Sequence, residues 1–562
     1  MTRVLLTTVF RPFGVVGKYN KKGDEELLDY LSSRLTREPG LFALSSYVPA
    51  SGLHLLAANL PAKTRVLEWP SIEEFVAELK KQPDYVGITF LIKGFGKLAK
   101  MIALTRKHAP KAKVVVGGFG TALHAVKDLG PDYISTGEGV RFMREVLGAS
   151  PDLPYVHPHV SADITLKIFQ NYNFLRKQTI GLIPRGFGCP HACDFCSTSA
   201  YFGYRSVGFL KNGRELYEAM KSQYRASKGT IDNFLIYEED LMLYYKRKLA
   251  ELGQCIEDDR EATFSYAGFA SVKALSKHDI EKLVAQGFGH VWIGVESSSA
   301  PYKKRDGRDV KGLFDELHSL GVTTTGSIIF GLDHHVPEQL PGEVDFLSSL
   351  RPSTAQISNL MPAIGTKLRE RLEDESRIMS LEYKDADLFS EIVSHPNFRP
   401  GELTPAIFSG YNQLYDAIGP SIYRIVDTWF TGYKNLRNSL NSSLRRRANL
   451  YAGRVKEALP LFLRTGEYLP NEDIRRQVTD MVDEVIAELG PPSSEQQAQS
   501  ELIARIFALE DIKRQQLEET PNEPELSVRD YAPTFLSKEA LIPPDRLTSL
   551  TNVDRRSEAN RG

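Results

Sequence analysis

Three cysteines in a C-x3-C-x2-C spacing, Cys189, Cys193 and Cys196, are the residues of this chain best suited to chemistry. Clustered thiolates bind metals, but a structural zinc site needs four protein ligands, and the remaining cysteine, Cys255, lies far downstream. A [4Fe–4S] cluster held by three thiolates leaves one iron open to a further ligand. The spacing therefore favours a cluster that does chemistry. The alternatives are a zinc site completed by His191 and three ordinary buried thiols.

The residues around the cysteines extend this interpretation. Gly186 and Gly188 allow the backbone to wrap closely around a cluster, and Phe195 stands directly before the third cysteine. The stretch resembles the signature of the radical S-adenosylmethionine (SAM) enzymes, in which this aromatic residue lies beside the adenine of SAM. The resemblance implies that the three cysteines hold a [4Fe–4S] cluster whose open iron takes the amino and carboxylate groups of SAM. In that family one electron then breaks a C–S bond and gives a 5′-deoxyadenosyl radical.

Length and composition set the frame for these residues. A chain of 562 residues predicts three or four domains, and 42% hydrophobic with 25% charged residues is typical of a globular protein. The 70 basic and 71 acidic residues give no sign of a nucleic-acid partner. Four cysteines fit a reducing compartment, and no segment approaches the ~18 apolar residues of a membrane span. We therefore expect a cytoplasmic protein without a transmembrane segment.

Residues 1–148 alternate between strand-like and helix-like segments, which predicts a parallel sheet covered on both faces, as in flavodoxin or Rossmann-like domains. The predicted strands are Val4–Val9, Thr64–Trp69, Tyr85–Thr89, Lys113–Val116 and Tyr133–Ile134. The predicted helices are Gly52–Leu60, Ile72–Lys80, Gly96–Lys107, Ala122–Leu129 and Val140–Leu147. Such sheets bind ligands at the carboxyl ends of their strands.

The loops at those strand ends are rich in glycine. Gly117-Gly118 and then Thr136-Gly137-Glu138-Gly139 precede the cysteine motif, and this order resembles the cobalamin-binding domain of class B radical SAM enzymes. The resemblance implies that Gly117, Gly118, Gly137 and Glu138 shape a cobalamin site. The alternative is a vestigial or substrate-binding flavodoxin-like domain.

The axial ligand of the cobalt is left open by the sequence. The D-x-H-x-x-G motif that supplies a histidine in other cobalamin proteins is absent, and the loop of residues 11–17 offers no such ligand. His54 and His124 lie on predicted helices and are interpreted as ordinary helix residues.

After a proline-containing linker over 149–178, the alternation resumes and predicts a catalytic domain over 179–375. Its predicted strands are Thr179–Pro184, Asn233–Tyr237, Thr263–Ala267, His290–Val295, Thr323–Phe330 and Ala355–Met361. Six βα units make a partial (β/α)6 barrel that is open on one side, with the cysteine loop at the carboxyl end of its first strand. Barrel enzymes build their sites at that end.

Polar residues at other strand ends match positions that hold SAM in the family. Glu239 follows the second strand, Gly294-Val295-Glu296-Ser297 ends the fourth, and Ser327 lies in the fifth. The resemblance implies that Glu239, Glu296, Ser297 and Ser327 bind SAM together with Phe195. His334 and His335 follow at the rim and are interpreted as surface loop residues, while Cys255 is expected to be a buried free cysteine.

The remainder predicts an α-helical C-terminal domain over 376–517 and a partly disordered tail over 518–562. Arg445-Arg446-Arg447 is interpreted as a solvated face. Six aromatic residues on the helices are interpreted as packing core, with a substrate pocket as the alternative: Tyr411, Tyr415, Tyr423, Trp429, Phe430 and Tyr433.

Together these resemblances imply a cobalamin-dependent radical SAM methyltransferase with three cofactors: a [4Fe–4S] cluster, SAM and cobalamin. In this class a SAM-derived radical takes hydrogen from an unactivated carbon, and methylcobalamin supplies the methyl group. The substrate would be a small molecule, natural product or lipid, and the electron donor a flavodoxin or ferredoxin. Two alternatives stay open: a cobalamin-using cyclase or ring-rearranging enzyme, and a cluster-binding sensor without turnover.

Overall fold

The computed structural model of the chain describes residues 1–11, 38–42, 49–164, 167–168, 172–173, 178–243, 245–299, 309–379, 383–515 and 526–534. The first sheet has five parallel strands: β1 Arg3–Thr8, β2 Lys63–Glu68, β3 Tyr85–Thr89, β4 Lys113–Gly117 and β5 Tyr133–Ile134. Their order is β2-β1-β3-β4-β5. Because most β1 and β4 side chains are buried, the sheet needs cover on both faces, and two apolar clusters provide it.

The helices of this domain are α1 Ser51–Ala57, α2 Ile72–Leu79, α3 Phe95–His108 and α4 Gly139–Val146. In α2, Ser71 and Glu74 form a reciprocal capping box, which explains its sharp start. The predicted helix over 122–129 is different in the structure, where two 3₁₀ turns, Phe119–Ala122 and His124–Leu129, replace it. Leu123 between them is extended, with φ −73° and ψ 121°, and therefore interrupts the helix.

Within the predicted linker, β6 Val160–Ile164 joins the second sheet, whereas β7 Lys167–Ile168 and β8 Tyr172–Asn173 form a separate small hairpin. The barrel strands follow as β9 Gln178–Pro184, β12 Asn233–Tyr237, β13 Ser265–Ala270, β14 Phe288–Glu296, β15 Thr323–Phe330 and β16 Thr354–Asn359. Between β9 and β12, the short strands β10 Gly186–Phe187 and β11 Val207–Gly208 pair as a separate two-stranded sheet. Strand order is β16-β15-β14-β13-β12-β9-β6.

Strands β9 and β12 to β16 pair in parallel with their neighbours, whereas β6 pairs antiparallel with β9. Because β6 occupies the outer edge of β9, β9 and β16 do not pair with each other within the described residues, and the barrel stays open. The connecting helices are α5 Ser197–Tyr201, α6 Gly213–Ala226, the π-helical turn Tyr245–Leu249 leading into α7 Ala250–Asp258, α8 Val272–Leu275, α9 Ile280–Ala285, α10 Val310–Ser319, α11 Leu340–Ser349 and α12 Lys367–Asp374.

Five helices follow: α13 Leu403–Ile418, α14 Ser421–Leu436, α15 Ser442–Ala458, α16 Glu472–Leu489 and α17 Ser494–Gln515. Helices α13, α14 and α15 pack on the outside of the barrel, α16 packs on these three, and α17 contacts the turn Leu459–Leu461. Tyr411, Tyr423, Trp429 and Phe430 belong to the same apolar cluster as the barrel strands, Tyr433 packs against it, and Tyr415 is buried at 5% exposure. The interpretation of these aromatic residues as packing core is thereby confirmed. No helix among the described residues is long and apolar enough to cross a membrane.

The arginine run on α15 corrects a prediction. Arg447 is buried and donates hydrogen bonds to the Phe264 carbonyl and the Ser265 hydroxyl, and Arg446 donates to the Asp259 carbonyl. Burial lowers the pKa of Arg447 to about 10. The expectation of a solvated face is therefore wrong for Arg447, because the loop before β13 covers it and supplies acceptors.

Part of the predicted tail adds a strand to the first sheet. Strand β17, Ser527–Tyr531, pairs antiparallel with β2 at the sheet edge. Arg65 donates two hydrogen bonds to Asp530, at 2.8 and 2.7 Å. This part of the predicted tail therefore packs against the first sheet.

Candidate active site

The three cysteines lie on the loop that follows β9. Cys189 is buried, and Cys193 and Cys196 are half-buried; all four cysteines lie among the described residues and form no disulfide. Gly188 has φ +83°, and a Cβ there would lie 2.1 Å from the Arg205 carbonyl, so only glycine fits. The loop is thus tightly folded with three unoxidised thiols, which is the donor set a [4Fe–4S] cluster takes.

His191 has a different role from that of a zinc ligand. Its Nε2 lies 2.8 Å from Oδ2 of Asp240, which also accepts a hydrogen bond of 2.6 Å from Ser271. Within the part of the chain that the structure describes, no group of three or more His, Cys, Asp or Glu side chains is placed to hold one metal ion. His191 instead ties the cysteine loop to the ends of β12 and β13.

A buried ion pair stands at the entrance to this loop. Arg185 and Glu238 are 2% and 6% exposed, and Arg185 donates to the Glu238 carboxylate. The Arg185 amide also donates to the Tyr237 carbonyl at 3.1 Å. Burial raises the pKa of Glu238, and the nearby guanidinium opposes that shift. The sequence analysis did not identify this pair, although Glu238, the acidic residue directly after β12, was a signal for it. The ion pair fixes the end of β9 against the end of β12 just before the cysteines.

The predicted SAM residues gather at the carboxyl edge of the barrel sheet. Glu296 is 6% exposed at the end of β14, in a left-handed conformation with φ +66°. Its carboxylate folds back over Gly294, where a Cβ would lie 2.5 Å from Oε1. Glu239 is half-buried in the turn after β12, and Ser327 accepts a hydrogen bond of 3.3 Å from Trp292. Phe195 packs against the apolar cluster at the ends of β15 and β16.

Ser297 is held by a residue that the sequence did not reveal. Its hydroxyl donates to Oε1 of Glu343 at 3.0 Å, and the amide of Ser298 donates to Oε2 at 2.6 Å. Glu343 lies on α11 and is 4% exposed. The loop after β14 is therefore fastened by its serines to the outer helix, with Glu296 directly before them.

The two rim histidines have different environments. His334 is exposed, whereas His335 is fully buried, with Nε2 3.4 Å from the Ser297 hydroxyl. Burial lowers the pKa of His335 to about 4, so this ring is neutral near pH 7. The prediction of surface loop histidines is correct for His334 and wrong for His335. Cys255 also departs from expectation: it is half-buried on α7.

A groove of about 370 Å³ lies between the first sheet and the barrel. Its walls come from α1, from the strand ends of the first sheet and from aromatic residues next to the cysteine loop: Phe187, Tyr201, Phe202, Phe209 and Tyr237. All four predicted cobalamin residues line it. The groove of the first domain is therefore closed on one side by barrel residues that lie next to the cysteine loop.

Gly117 leaves room for a ligand, whereas Gly118 and Gly137, with φ +90° and +89°, have backbone conformations that themselves favour glycine. Gly117 has no positive φ, and a Cβ there would meet only the Ser135 Cβ, at 3.8 Å. A Cβ at Gly137 would meet nothing within 4 Å. Since the protein's own packing does not require glycine at Gly117, close approach of a bulky ligand is the better reason for it. Glu138 also caps α4, accepting from the amides of Val140 and Arg141.

The histidines of this domain do not reach the groove. His54 is buried, with Nε2 2.9 Å from Glu68 and Nδ1 2.8 Å from the Tyr531 hydroxyl. His124 is exposed on a 3₁₀ turn. His54 thus lies on a helix as predicted, whereas His124 lies on a 3₁₀ turn in place of the predicted helix. Most of the loop after β1, residues 12–17, lies outside the described residues.

Comparison with known proteins supports this reading of the molecule. Residues 183–347 match the family model described as the radical SAM superfamily. A curated relative, an uncharacterized methyltransferase of Pyrococcus horikoshii named PH0819, is 20% identical over 240 residues. That match covers 42% of this chain and 51% of the relative, so the chain spans about half the length of the relative it matches.

Two solved structures of TsrM, a radical SAM methyltransferase from Kitasatospora setae, are similar in fold. The first, with cobalamin and a [4Fe–4S] cluster bound, is 15% identical with a TM-score of 0.50 and covers 82% of this chain and 100% of its own. The second, with tryptophan substrate and a SAM analogue, is 16% identical with a TM-score of 0.51, at 81% and 100% coverage.

These findings define the class. Residues 183–347 match the radical SAM superfamily, and 82% of the chain shares its fold with the cobalamin-bound structure of TsrM. The predicted resemblance to radical SAM enzymes is thus supported by sequence for residues 183–347, and the likeness to TsrM is one of fold.

Proposed function

We propose that this protein is a cobalamin-dependent radical SAM methyltransferase that modifies a carbon of a small-molecule, natural-product or lipid substrate. The observation that carries the proposal is the groove of about 370 Å³, whose glycine loops belong to one domain and whose aromatic wall adjoins the cysteine loop of the other. Two cofactor sites that share one wall are the arrangement such an enzyme needs.

When bound, the cluster with SAM would supply one-electron chemistry, and cobalamin would supply a methyl group. Cys189, Cys193 and Cys196 would hold the cluster, and the tight turn at Gly188 sets their loop. Glu239 and Glu296 would bind the amino group of SAM, since carboxylates accept strong hydrogen bonds from an ammonium. Phe195 would pack beside the adenine, and Ser297 and Ser327 would complete the SAM site.

The chain also prepares this site for chemistry that water would disturb. Arg185, Glu238, Asp240 and Glu343 are each at most 6% exposed, and their hydrogen bonds fix the loops that carry the predicted ligands. Gly117, Gly118 and Gly137 would allow the corrin tail to lie close to the backbone, and Glu138 would set the loop beside it.

The test is anaerobic reconstitution of the full chain with iron, sulfide and a corrinoid, followed by turnover with methyl-labelled SAM and a reductant. Tryptophan is the first acceptor to try, because a structure of similar fold carries it as substrate. A corrinoid absorption band together with label in the product would support the proposal. A product without label would favour cyclisation or rearrangement. Absence of both 5′-deoxyadenosine and S-adenosylhomocysteine across candidate acceptors would favour the sensor alternative and contradict ours.

A further inference from the structure

Resting on the proposed function, we propose that Tyr201 is a positioning residue that fixes the cysteine loop against the corrinoid groove and so sets how the two cofactor sites work together. Tyr201 is the last residue of α5, the short helix that Cys196 caps at its beginning. It is therefore tied through one helical turn to a predicted cluster ligand, and it lines the groove of the other domain.

The Tyr201 hydroxyl reaches two loops of the first sheet. It lies 3.0 Å from the Gly118 carbonyl, 3.3 Å from the Ser135 carbonyl and 2.9 Å from the Thr121 hydroxyl. Thr121 in turn lies 2.8 Å from the Gly118 carbonyl and 3.1 Å from the Ser135 carbonyl. Two hydroxyl protons thus face two carbonyl acceptors. The Gly118 carbonyl also accepts a hydrogen bond of 3.0 Å from the Thr121 amide, so the Ser135 carbonyl is the acceptor that relies on the two hydroxyls.

The ring of Tyr201 strengthens the same junction. Its centroid lies 4.9 Å from that of Phe119, next to the glycine pair, and 5.3 Å from that of Phe202. Burial raises the pKa of Tyr201, so the hydroxyl stays a proton donor at neutral pH. Gly118 and Ser135 follow β4 and β5, whose end loops form the groove wall. One side chain therefore contacts both glycine loops and adjoins the cysteine loop.

A residue in this place affects how the two cofactor sites are aligned more than whether each site binds its cofactor. Removing the Tyr201 hydroxyl leaves the Ser135 carbonyl with the Thr121 hydroxyl and the Gly118 carbonyl with the Thr121 hydroxyl and amide, so the bonds that join α5 to both loops are lost and the contact between them loosens. Because small misplacements of reacting groups cost orders of magnitude in rate, productive transfer is expected to suffer while each cofactor still binds its own ligands.

The experiment compares Tyr201→Phe with wild type in the full chain, with Tyr224→Phe as matched control, since its hydroxyl makes one exposed hydrogen bond of 3.3 Å to the Glu261 carbonyl. We expect unchanged iron, sulfide and corrinoid content in Tyr201→Phe. Methylated product should fall about tenfold or more, with a rise in SAM-derived products per methyl transferred. Simple loss of folded protein would lower all products together and leave that ratio unchanged.

A second readout needs neither cofactor nor turnover. In cofactor-free protein, amide hydrogen exchange over 117–122, 133–137 and 197–203 should speed up in Tyr201→Phe and, more weakly, in Thr121→Val, but not in Tyr224→Phe. Exchange and product ratio both equal to wild type would overturn the positioning role. A wild-type protein that binds no corrinoid would instead contradict the proposed function. The exchange result would still show whether the Tyr201 hydroxyl holds α5 against the two loops of the first sheet.

Discussion

The cysteine loop and the glycine groove are built in opposite ways. The loop is one contiguous stretch, held by buried polar contacts such as Arg185 with Glu238 and His191 with Asp240. The groove draws on loops after several strands of the first sheet, on α1 and on aromatic residues of the barrel. A substitution of a cysteine in the loop should therefore abolish cluster binding, whereas a substitution in the groove should lower corrinoid affinity only in part.

The strongest test of this difference is loss of one cysteine. Cys193→Ala should lower the iron content of reconstituted protein more than about tenfold and abolish SAM cleavage, because three thiolates are needed to hold the cube. Iron and sulfide analysis measures the first effect and product chromatography the second. Cys255→Ala, a half-buried thiol on α7, is the control and should leave both unchanged. Full iron content in Cys193→Ala would remove the cluster assignment.

The next effect concerns the buried ion pair. Arg185→Met should destabilise the catalytic domain by about 3–5 kcal/mol, since it leaves the Glu238 carboxylate buried without its partner. Thermal unfolding measures this, and Arg185→Met/Glu238→Leu should recover part of the loss. If the single and double variants melt together, the pair does not couple β9 to β12.

The same variant has a pH dependence with a defined sign. Burial raises the pKa of Glu238, and without Arg185 that shift should grow. A carboxyl group whose folded pKa lies above its unfolded value favours the fold at low pH and loses this contribution as pH rises through the folded pKa. Arg185→Met should therefore lose less stability at pH 5.5 than at pH 8, relative to wild type at the same pH.

A graded effect is expected in the groove. Gly117→Val should keep the fold, because the backbone angle is ordinary and the nearest atom to a Cβ is 3.8 Å away, but it narrows the space for a ligand. Corrinoid affinity should drop about tenfold while iron content stays the same, as titration by absorption would show. Gly342→Val, at an open position on α11, is the matched control. Equal corrinoid affinity in both would argue against a ligand at Gly117.

The smallest expected effect is on the slope of melting temperature against pH. Because burial lowers the pKa of His335 to about 4, the unfolded chain binds a proton before the folded one, and stability is lost as pH falls from about 6.5. His335→Gln should flatten the dependence of melting temperature on pH between 4 and 6.5. It should not abolish it, because burial also lowers the pKa of His290 to about 4 and lowers the pKa of other histidines, His157 and His395 among them. His334→Gln removes a neighbouring ring that helps to lower the pKa of His335, and it should therefore flatten the slope less than His335→Gln does.

Much of the site was predictable because its signals are local. The cysteine spacing, the glycines at strand ends and the G-x-E-S segment each occupy a few consecutive residues. The strands were visible as short apolar runs, and Tyr85–Thr89 and Asn233–Tyr237 were predicted with their observed bounds. The third barrel strand was placed too early, at Thr263–Ala267 instead of Ser265–Ala270, because an apolar run does not mark where pairing with its neighbours begins.

By itself, the sequence determined the chemistry of the cysteine loop and the βα order of both sheets, since these depend on nearest neighbours and on periodicity. Only the tertiary structure decided which polar side chains are buried and what they bind: Arg447 under the loop before β13, His335 behind Ser297, and Tyr201 against Gly118. It also decided that β17 covers the β2 edge of the first sheet and that β6 covers the β9 edge of the second sheet. A polar residue or an edge strand looks the same in sequence whether water or a distant segment satisfies its hydrogen bonds, and the free energy depends on which of the two is there.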